Sequence, residues 1–190
     1  HYALFTFLAF LNVALLGCAI LRSWNFLKPL VLVATALMFS GWVSDQGHQW
    51  ENVWSTQWFL VLHAVILLAA VTIPPVFWKQ TSRPSDLFAL SGTALWFIGT
   101  TWMLFHNRTD QQLALVCWGL SLLHAVLFAV TYARVTNVDR IPRVQLALAA
   151  LFFTLAVPLQ LDHSLSYLAI TWSAQGLIFS TVGIYFRDRQ

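Results

Sequence analysis

Residues 57–76 read QWFLVLHAVILLAAVTIPPV, a run that is apolar along nearly its whole length and contains no charged side chain. About 20 apolar residues in a helix are enough to cross the hydrocarbon core of a bilayer. Continuous rather than alternating apolarity favours a helix over a barrel strand, because lipid offers no partner to an unpaired backbone group. This stretch therefore predicts a transmembrane helix.

Six further apolar runs fill most of the remaining sequence. The predicted helices cover residues 3–21, 27–43, 57–76, 86–105, 112–133, 144–159 and 167–186. Only 9% of the 190 residues are charged and 59% are hydrophobic, whereas about a quarter of the residues in a soluble domain are charged. We predict an all-α fold, a polytopic transmembrane bundle of seven helices that forms a single transmembrane domain over residues 1–190.

The basic residues predict the orientation of this bundle. Of the ten Lys and Arg residues, only Arg108 falls on one side of the predicted membrane. The others are Arg22, Lys28, Lys79, Arg83, Arg134, Arg140, Arg143, Arg187 and Arg189. The positive-inside rule then places the N-terminus outside and the C-terminus in the cytoplasm, in a membrane that we expect to be a bacterial inner membrane. Basic residues confined to loops leave no soluble basic face for nucleic acid.

Short sequence words recur at a spacing of about 60 residues, which is long enough to hold two helices. Thr35–Leu37 in the second helix matches Thr93–Leu95 in the fourth, and Leu62–Val65 in the third matches Leu123–Val126 in the fifth. Two helices per copy indicate a repeated helical hairpin with parallel copies, and the sixth and seventh helices are the third copy. The first helix is then the second half of an earlier hairpin. Because the sequence starts at His1, without methionine or a leader, we expect the chain to be a fragment.

Several polar residues fall inside the predicted helices, where they are costly and point to function. The repeat places Asn12 and Gln175 near the positions of the two histidines, and helical spacing puts Ser121 on the face of His124. The predicted intramembrane polar face consists of Asn12, His63, Ser121, His124, Thr171 and Gln175.

Two interpretations of this face remain open. Its side chains could hydrogen-bond between helices and hold the bundle together. Alternatively, His63 and His124 could act as metal or cofactor ligands and bind a haem iron or the magnesium of a chlorophyll-type pigment. The sequence alone leaves the cofactor unknown.

The same residues disfavour other classes of membrane protein. No Asp, Glu, Lys or Arg lies in the middle of a predicted helix, although pumps commonly use such groups. The seventh helix lacks the lysine that a rhodopsin needs. The sequence has no nucleophile elbow, no phosphate-binding glycine loop and no metal-ligand pair at helical spacing. We predict that the protein is not an enzyme and has no catalytic residues.

Prolines and small residues predict local shape. Pro74 and Pro75 are expected to kink or end the third helix, and Pro158 to bend the sixth near its end. Small residues are expected to allow close helix approach. These are Gly92, Gly99, Ala125 and Ala129.

The sequence also resembles a known family. The run Tyr2–Trp42 with its break at Arg22–Trp24, and the closing segments Ala156–Leu161 and Thr171–Leu177, are similar to the uncharacterised bacterial membrane proteins called domain of unknown function 2339. The resemblance is strongest in the last 40 residues. It implies a longer protein with many transmembrane helices, and a glutamate at the position that Gln175 occupies here. It implies no activity.

These observations favour a noncatalytic scaffold or subunit of a larger membrane assembly. Its expected partners are the lipid bilayer and other transmembrane proteins or a further part of its own chain. The alternatives are a transporter or channel for a small solute, lipid or ion, and a haem-binding or pigment-binding subunit that uses His63 and His124.

Overall fold

The computed structural model of the protein describes residues 2–46, 50–105, 110–135, 140–160 and 165–187. Within these ranges the regular structure is entirely helical. The helices are α1 (Tyr2–Leu21), α2 (Leu27–Gln46), α3 (Trp50–Trp78), α4 (Pro84–Phe105), α5 (Asp110–Arg134), α6 (Ile141–Gln160) and α7 (Leu165–Arg187). The predicted all-α fold with seven helices is therefore confirmed. Arg108 and Arg189 lie outside the described residues.

Each helix extends beyond the apolar run that predicted it, and α3 differs most. It begins at Trp50, seven residues before the predicted start at Gln57, and ends at Trp78. Backbone hydrogen bonds continue a helix into polar residues as readily as into apolar ones, so apolarity underestimates its length. Pro75 lies three residues from the end of α3, and Pro158 two residues from the end of α6. Both positions are in a last turn, so the lost hydrogen bond and the ring clash affect only the final part of each helix.

Six of the described helices, α1 to α6, are long and apolar enough to cross a membrane. Their outward faces remain apolar, as Phe10 at 73% exposed and Trp58 at 71% exposed illustrate. In water such a surface would aggregate, whereas lipid is a suitable solvent for it. The fold is therefore that of an integral membrane protein.

Helices two apart in sequence pack together, α1 with α3 and α2 with α4, more extensively than α1 packs with α2. Among helices adjacent in sequence, the more extensive contacts define three sequential pairs, α1 with α2, α3 with α4, and α5 with α6. Among these, α5 and α6 lie closest together along their length, and α7 packs mainly against α6. This pairing differs from the hairpins α2–α3, α4–α5 and α6–α7 suggested by the repeat. A repeated sequence fixes the period of a structure, but side-chain packing decides which of two neighbouring helices lies closer.

The pattern of burial shows the repeat more clearly than the sequence does. Every buried position of α2 has a buried counterpart in α4, 58 residues later. The pairs are Lys28 and Asp86, Val31 and Ala89, Leu32 and Leu90, Thr35 and Thr93, Phe39 and Phe97, and Val43 and Thr101. In the odd helices Asn12, His63 and His124 correspond in the same way, at spacings of 51 and 61 residues. Equivalent helices thus present equivalent faces to the interior.

Of the four small residues expected at close helix contacts, one lies at such a contact. A Cβ added to Gly92 would lie 2.6 Å from Cδ2 of Leu32, because α2 and α4 approach closely there. Gly99 has open space around it, and Ala125 and Ala129 are exposed. The expectation was wrong for these three residues, because a small side chain permits close approach without determining which face meets a neighbour.

A buried ion pair joins α2 to α4. Lys28 Nζ lies 2.5 Å from Oδ1 of Asp86, and the two side chains are only 6% and 8% exposed. Oδ2 of Asp86 accepts a hydrogen bond of 2.8 Å from the backbone N–H of Arg83. This second contact closes the N-terminus of α4 as a capping box does, with Pro84 in the first helical position. One carboxylate therefore starts α4 and fixes its position beside α2.

Replacing Asp86 with Asn is expected to destabilise the bundle by about 3 to 5 kcal/mol, because it leaves the Lys28 ammonium buried without an opposite charge. The double variant Lys28→Met, Asp86→Leu removes both charges and is expected to recover most of that loss. The free energy of unfolding in mixed micelles measures both effects. Arg22→Met, which removes an exposed cation next to the same loop, is the control. If the Asp86→Asn protein is as stable as the wild type, Lys28 and Asp86 do not form a stabilising buried ion pair.

Candidate functional site

Most polar side chains inside the bundle are used to join helices. Each sequential pair has at least one such contact, which we call a polar tie. The ties are Asn12 with Thr35 between α1 and α2, Gln57 with Thr101 between α3 and α4, and Trp118 with Gln160, Ser121 with Ala149 and Thr131 with Gln145 between α5 and α6. Because lipid offers no competing partner, ties of this kind hold transmembrane helices together at about 0.6 to 2 kcal/mol each.

The Asn12 tie is reciprocal. Nδ2 of Asn12 donates to Oγ1 of Thr35 at 2.9 Å, and the Thr35 hydroxyl lies 3.2 Å from Oδ1 of Asn12. Asn12 is 2% exposed and Thr35 is fully buried. The pair lies in the middle of α1 and α2 and fixes their register.

His63 is enclosed by aromatic rings. Its Nδ1 lies 2.7 Å from the carbonyl oxygen of Phe59, one turn earlier in its own helix, and so carries the proton that it donates. The ring meets Phe39 and Phe5 edge-on, at centroid distances of 5.9 and 6.4 Å. Nε2 has no hydrogen-bond partner among the described residues. His63 thus faces α1 and α2 and forms no tie there.

His124 has different surroundings. Its ring stacks on Phe152 of α6 at a centroid distance of 5.7 Å and an interplanar angle of 22°. The residue is fully buried, and neither ring nitrogen has a hydrogen-bond partner within the described part of the chain. Leaving two polar nitrogens unpaired inside the membrane is costly, so this imidazole is a candidate for binding something else.

A cavity of about 330 Å³ lies beside His124, between α3, α4 and α5. Its wall is almost entirely apolar. The lining residues are Trp54, Gln57, Trp58, Val61, Ala64, Val65 and Leu68 of α3, Thr93, Ala94 and Phe97 of α4, and Val116, Gly119, Leu120, Leu123 and His124 of α5. The side chain of Gln57 is engaged with Thr101, and the Thr93 hydroxyl donates to the carbonyl oxygen of Ala89 at 2.6 Å. Among the described residues, His124 is therefore the buried lining side chain whose ring nitrogens have no partner.

The remaining residues of the predicted polar face have separate roles. Ser121 donates to the carbonyl oxygen of Ala149 at 2.9 Å. Thr171 is half-buried and donates to the carbonyl oxygen of Tyr167 in its own helix, at 2.7 Å. Gln175 is 4% exposed, and its Nε2 has no partner among the described residues.

The structure does not gather the six predicted residues at one site. His63 faces α1 and α2, whereas His124 lies against α6 and the cavity, so the two imidazoles do not share a lining. Within the described ranges no group of three or more His, Cys, Asp or Glu residues could hold a metal ion. The arrangement offers one lone imidazole for a ligand rather than a histidine pair.

Sequence reasoning missed the Lys28–Asp86 pair, although a signal was present. Both residues lie seven positions before the repeated threonines Thr35 and Thr93, so they occupy equivalent places with opposite charges. Equivalent faces of α2 and α4 lie side by side, which brings the two charges together. Aligning the repeat beyond its shared words would have predicted the contact.

Comparison with known proteins decides the family. The sequence profile of a family described as predicted membrane protein matches residues 1–189, nearly the whole chain. The chain belongs to the DUF2339 family. Neither a curated protein nor a solved structure matches it.

Membership of DUF2339 confirms the resemblance inferred from the sequence and agrees with the apolar helices of the structure. The segments that supported the resemblance map onto α1, α2, α6 and α7 of the DUF2339 chain. The family description assigns no activity. A function must therefore be argued from the side chains themselves.

The reciprocal tie between Asn12 and Thr35 is expected to show coupling in a double-mutant cycle. Asn12→Leu and Thr35→Val should each lower the free energy of unfolding by about 0.6 to 2 kcal/mol, while the double variant loses less than the sum. Unfolding in mixed micelles measures the coupling. Thr181→Val, which removes an exposed hydroxyl that donates to the Leu177 carbonyl oxygen of its own helix, is the control. Strictly additive losses would show that the two side chains stabilise the bundle independently.

Proposed function

We propose that this chain is a noncatalytic helical scaffold, a subunit of a larger membrane assembly that recognises other transmembrane proteins through its helix faces. The observation that carries the proposal is the use of polar side chains as ties between helices. Asn12, Gln57, Ser121 and Thr131 each bond to a neighbouring helix. Groups committed to internal structure are unavailable for chemistry or for conduction.

The apolar lining of the cavity also favours a scaffold over a channel for ions or polar solutes. Its lining is apolar apart from Gln57, Thr93 and His124, and the first two already have partners. An ion crossing the bilayer needs a continuous row of polar groups to replace its water. The described part of the bundle contains no such row.

Helix α7 offers the face that would bind a partner. It packs mainly against α6, while the other helices of the bundle have two or more neighbours. Near its middle, the Nε2 of Gln175 is buried without a partner among the described residues. The adjacent Gly176 is exposed and has open space where a side chain would project. A transmembrane helix of another protein could pack closely against the face that contains Gly176.

A bulky residue at this face is expected to break the assembly. Gly176→Trp should shift the protein, extracted in native membrane particles, from a complex to a single chain, as measured by native mass spectrometry. The indole would prevent close approach of a partner helix without changing internal packing. Gly41→Trp, at another glycine with open space around it, is the matched control and should leave the complex intact.

A wild-type chain that is monomeric in native membrane particles would overturn the scaffold proposal. Equal loss of the complex in both tryptophan variants would place the interface elsewhere or point to general misfolding. Retention of the complex in Gly176→Trp would exclude the α7 face.

We further propose that the N-terminus lies outside and the C-terminus in the cytoplasm of a bacterial inner membrane. The support is the gathering of basic side chains at one end of the bundle. At that end the described ones are Arg22, Lys28, Lys79, Arg83, Arg134, Arg140 and Arg143. Such a bias marks the cytoplasmic side.

Fusions with alkaline phosphatase, which is active only when exported, test this orientation. A fusion after Gln46 is expected to be active and a fusion after Gln80 inactive, because these residues lie at opposite ends of the bundle. The reverse pattern of activities would show that the bundle is inserted the other way.

A further inference from the structure

The two copies of the repeat differ around their equivalent histidines. A cluster of four aromatic rings lies beside His63, and two of them contact its ring. They are Phe5, Phe39, Trp42 and Phe59, with Phe5 at centroid distances of 4.7, 5.1 and 5.2 Å from the other three. The repeat spacings of 51, 58 and 61 residues identify their counterparts around His124 as Thr56, Phe97, Thr100 and Leu120. Phe97 and Leu120 line the cavity, and Leu120 is smaller than the Phe59 that it replaces, which leaves room in the second copy.

The free imidazole gives this space a polar end. His63 has its Nδ1 on the Phe59 carbonyl, whereas both nitrogens of His124 lack partners among the described residues. A neutral imidazole has one N–H donor and one acceptor, and a site with such a group unpaired favours a ligand that satisfies it. An uncharged oxygen on the ligand would do so, while a charged group would be too costly in this apolar cavity.

The shape of the cavity fits a molecule dissolved in the membrane. Its lining on α3 runs from Trp54 to Leu68, about 21 Å along the helix at 1.5 Å per residue. At its rim Trp58 is 71% and Val65 52% exposed, on faces that meet lipid. A ligand would therefore enter sideways from the bilayer, with its body along α3 and its polar head towards His124.

We propose that the cavity between α3, α4 and α5 binds a lipophilic ring compound of the quinone class, with a carbonyl oxygen hydrogen-bonded to His124. The ring takes the place that aromatic side chains occupy beside His63. Phe97 supplies aromatic surface for it, and the alkyl tail follows the apolar wall of α3 towards Trp58 and Trp54. This site is independent of the α7 face.

Trp54 and Trp58 line the cavity, so quinone binding can be measured by tryptophan fluorescence. Decylbenzoquinone, titrated into the purified full chain in lipid nanodiscs, is expected to quench tryptophan fluorescence in a saturable manner. Decylbenzene, which has the same body without the oxygens, should bind about five to ten times more weakly, the ratio that one hydrogen bond supplies. His124→Leu should lower the affinity for decylbenzoquinone to that for decylbenzene. His63→Leu, at the equivalent but filled position, is the matched control and should leave the affinity unchanged.

A second pair of variants tests the cavity without altering the histidine. An added side chain at Gly119 meets open space and would project into the lining, so Gly119→Leu should abolish saturable quenching in a folded protein. Gly99→Leu, which also meets open space but lies outside the lining, should retain it. This pair is informative even if His124→Leu fails to fold.

Three results would overturn the proposal. Quenching that rises linearly with quinone concentration would show collision in the lipid rather than a site. Equal affinities for decylbenzoquinone and decylbenzene would show that the cavity accepts any apolar chain and that His124 takes no part. Unchanged binding in Gly119→Leu would place the quinone elsewhere. None of these results bears on the scaffold proposal, which is tested by the size of the complex.

Discussion

The structure depends on one constraint, namely that hydrocarbon offers no partner to a polar group. Backbone groups meet it by forming helices, and side chains meet it by bonding across helix contacts. Asn12 with Thr35, Gln57 with Thr101, and Ser121 with the Ala149 carbonyl are three solutions, one in each sequential pair. The ion pair of Lys28 with Asp86 joins two of these pairs. Polar residues thus determine how apolar helices are arranged, since an apolar helix face has little preference between lipid and another apolar face.

The repeat gives this arrangement its regularity, and its departures from symmetry create the features of interest. A lysine in one copy faces an aspartate in the next at the same position, which converts internal similarity into an attractive contact. Likewise, His63 and His124 occupy equivalent positions, but Phe5 and Phe39 contact the first, whereas the second stacks on Phe152. In the second copy Leu120 replaces Phe59 and lines a cavity, and the imidazole of His124 has no partner among the described residues. A repeated fold can acquire a binding site in this way without changing its helices.

Much of the fold could be predicted because the signal is local. The run 57–76 identifies α3 by length and apolarity alone, and the same rule finds the other helices to within a few residues at most ends. The early start of α3 at Trp50 was missed because its first residues are polar. The candidate site was predicted only in part. Burial of His63, His124 and Asn12 follows from the cost of exposing them to lipid. Thr35, which bonds to Asn12, is 23 positions away, and the rings that contact His63 and His124 belong to other helices.

The sequence by itself determined that the chain is a helical membrane protein of the DUF2339 family, which of its residues are costly in lipid, and the period at which its helices repeat. These properties depend on composition and on spacing along the chain. Only the tertiary structure decided that α5 packs on α6, that Lys28 meets Asp86, and that His124, not His63, lines the cavity between α3, α4 and α5. The physical reason is that side-chain volume and hydrogen bonding between distant residues select one packing among many that apolar helices could adopt in lipid.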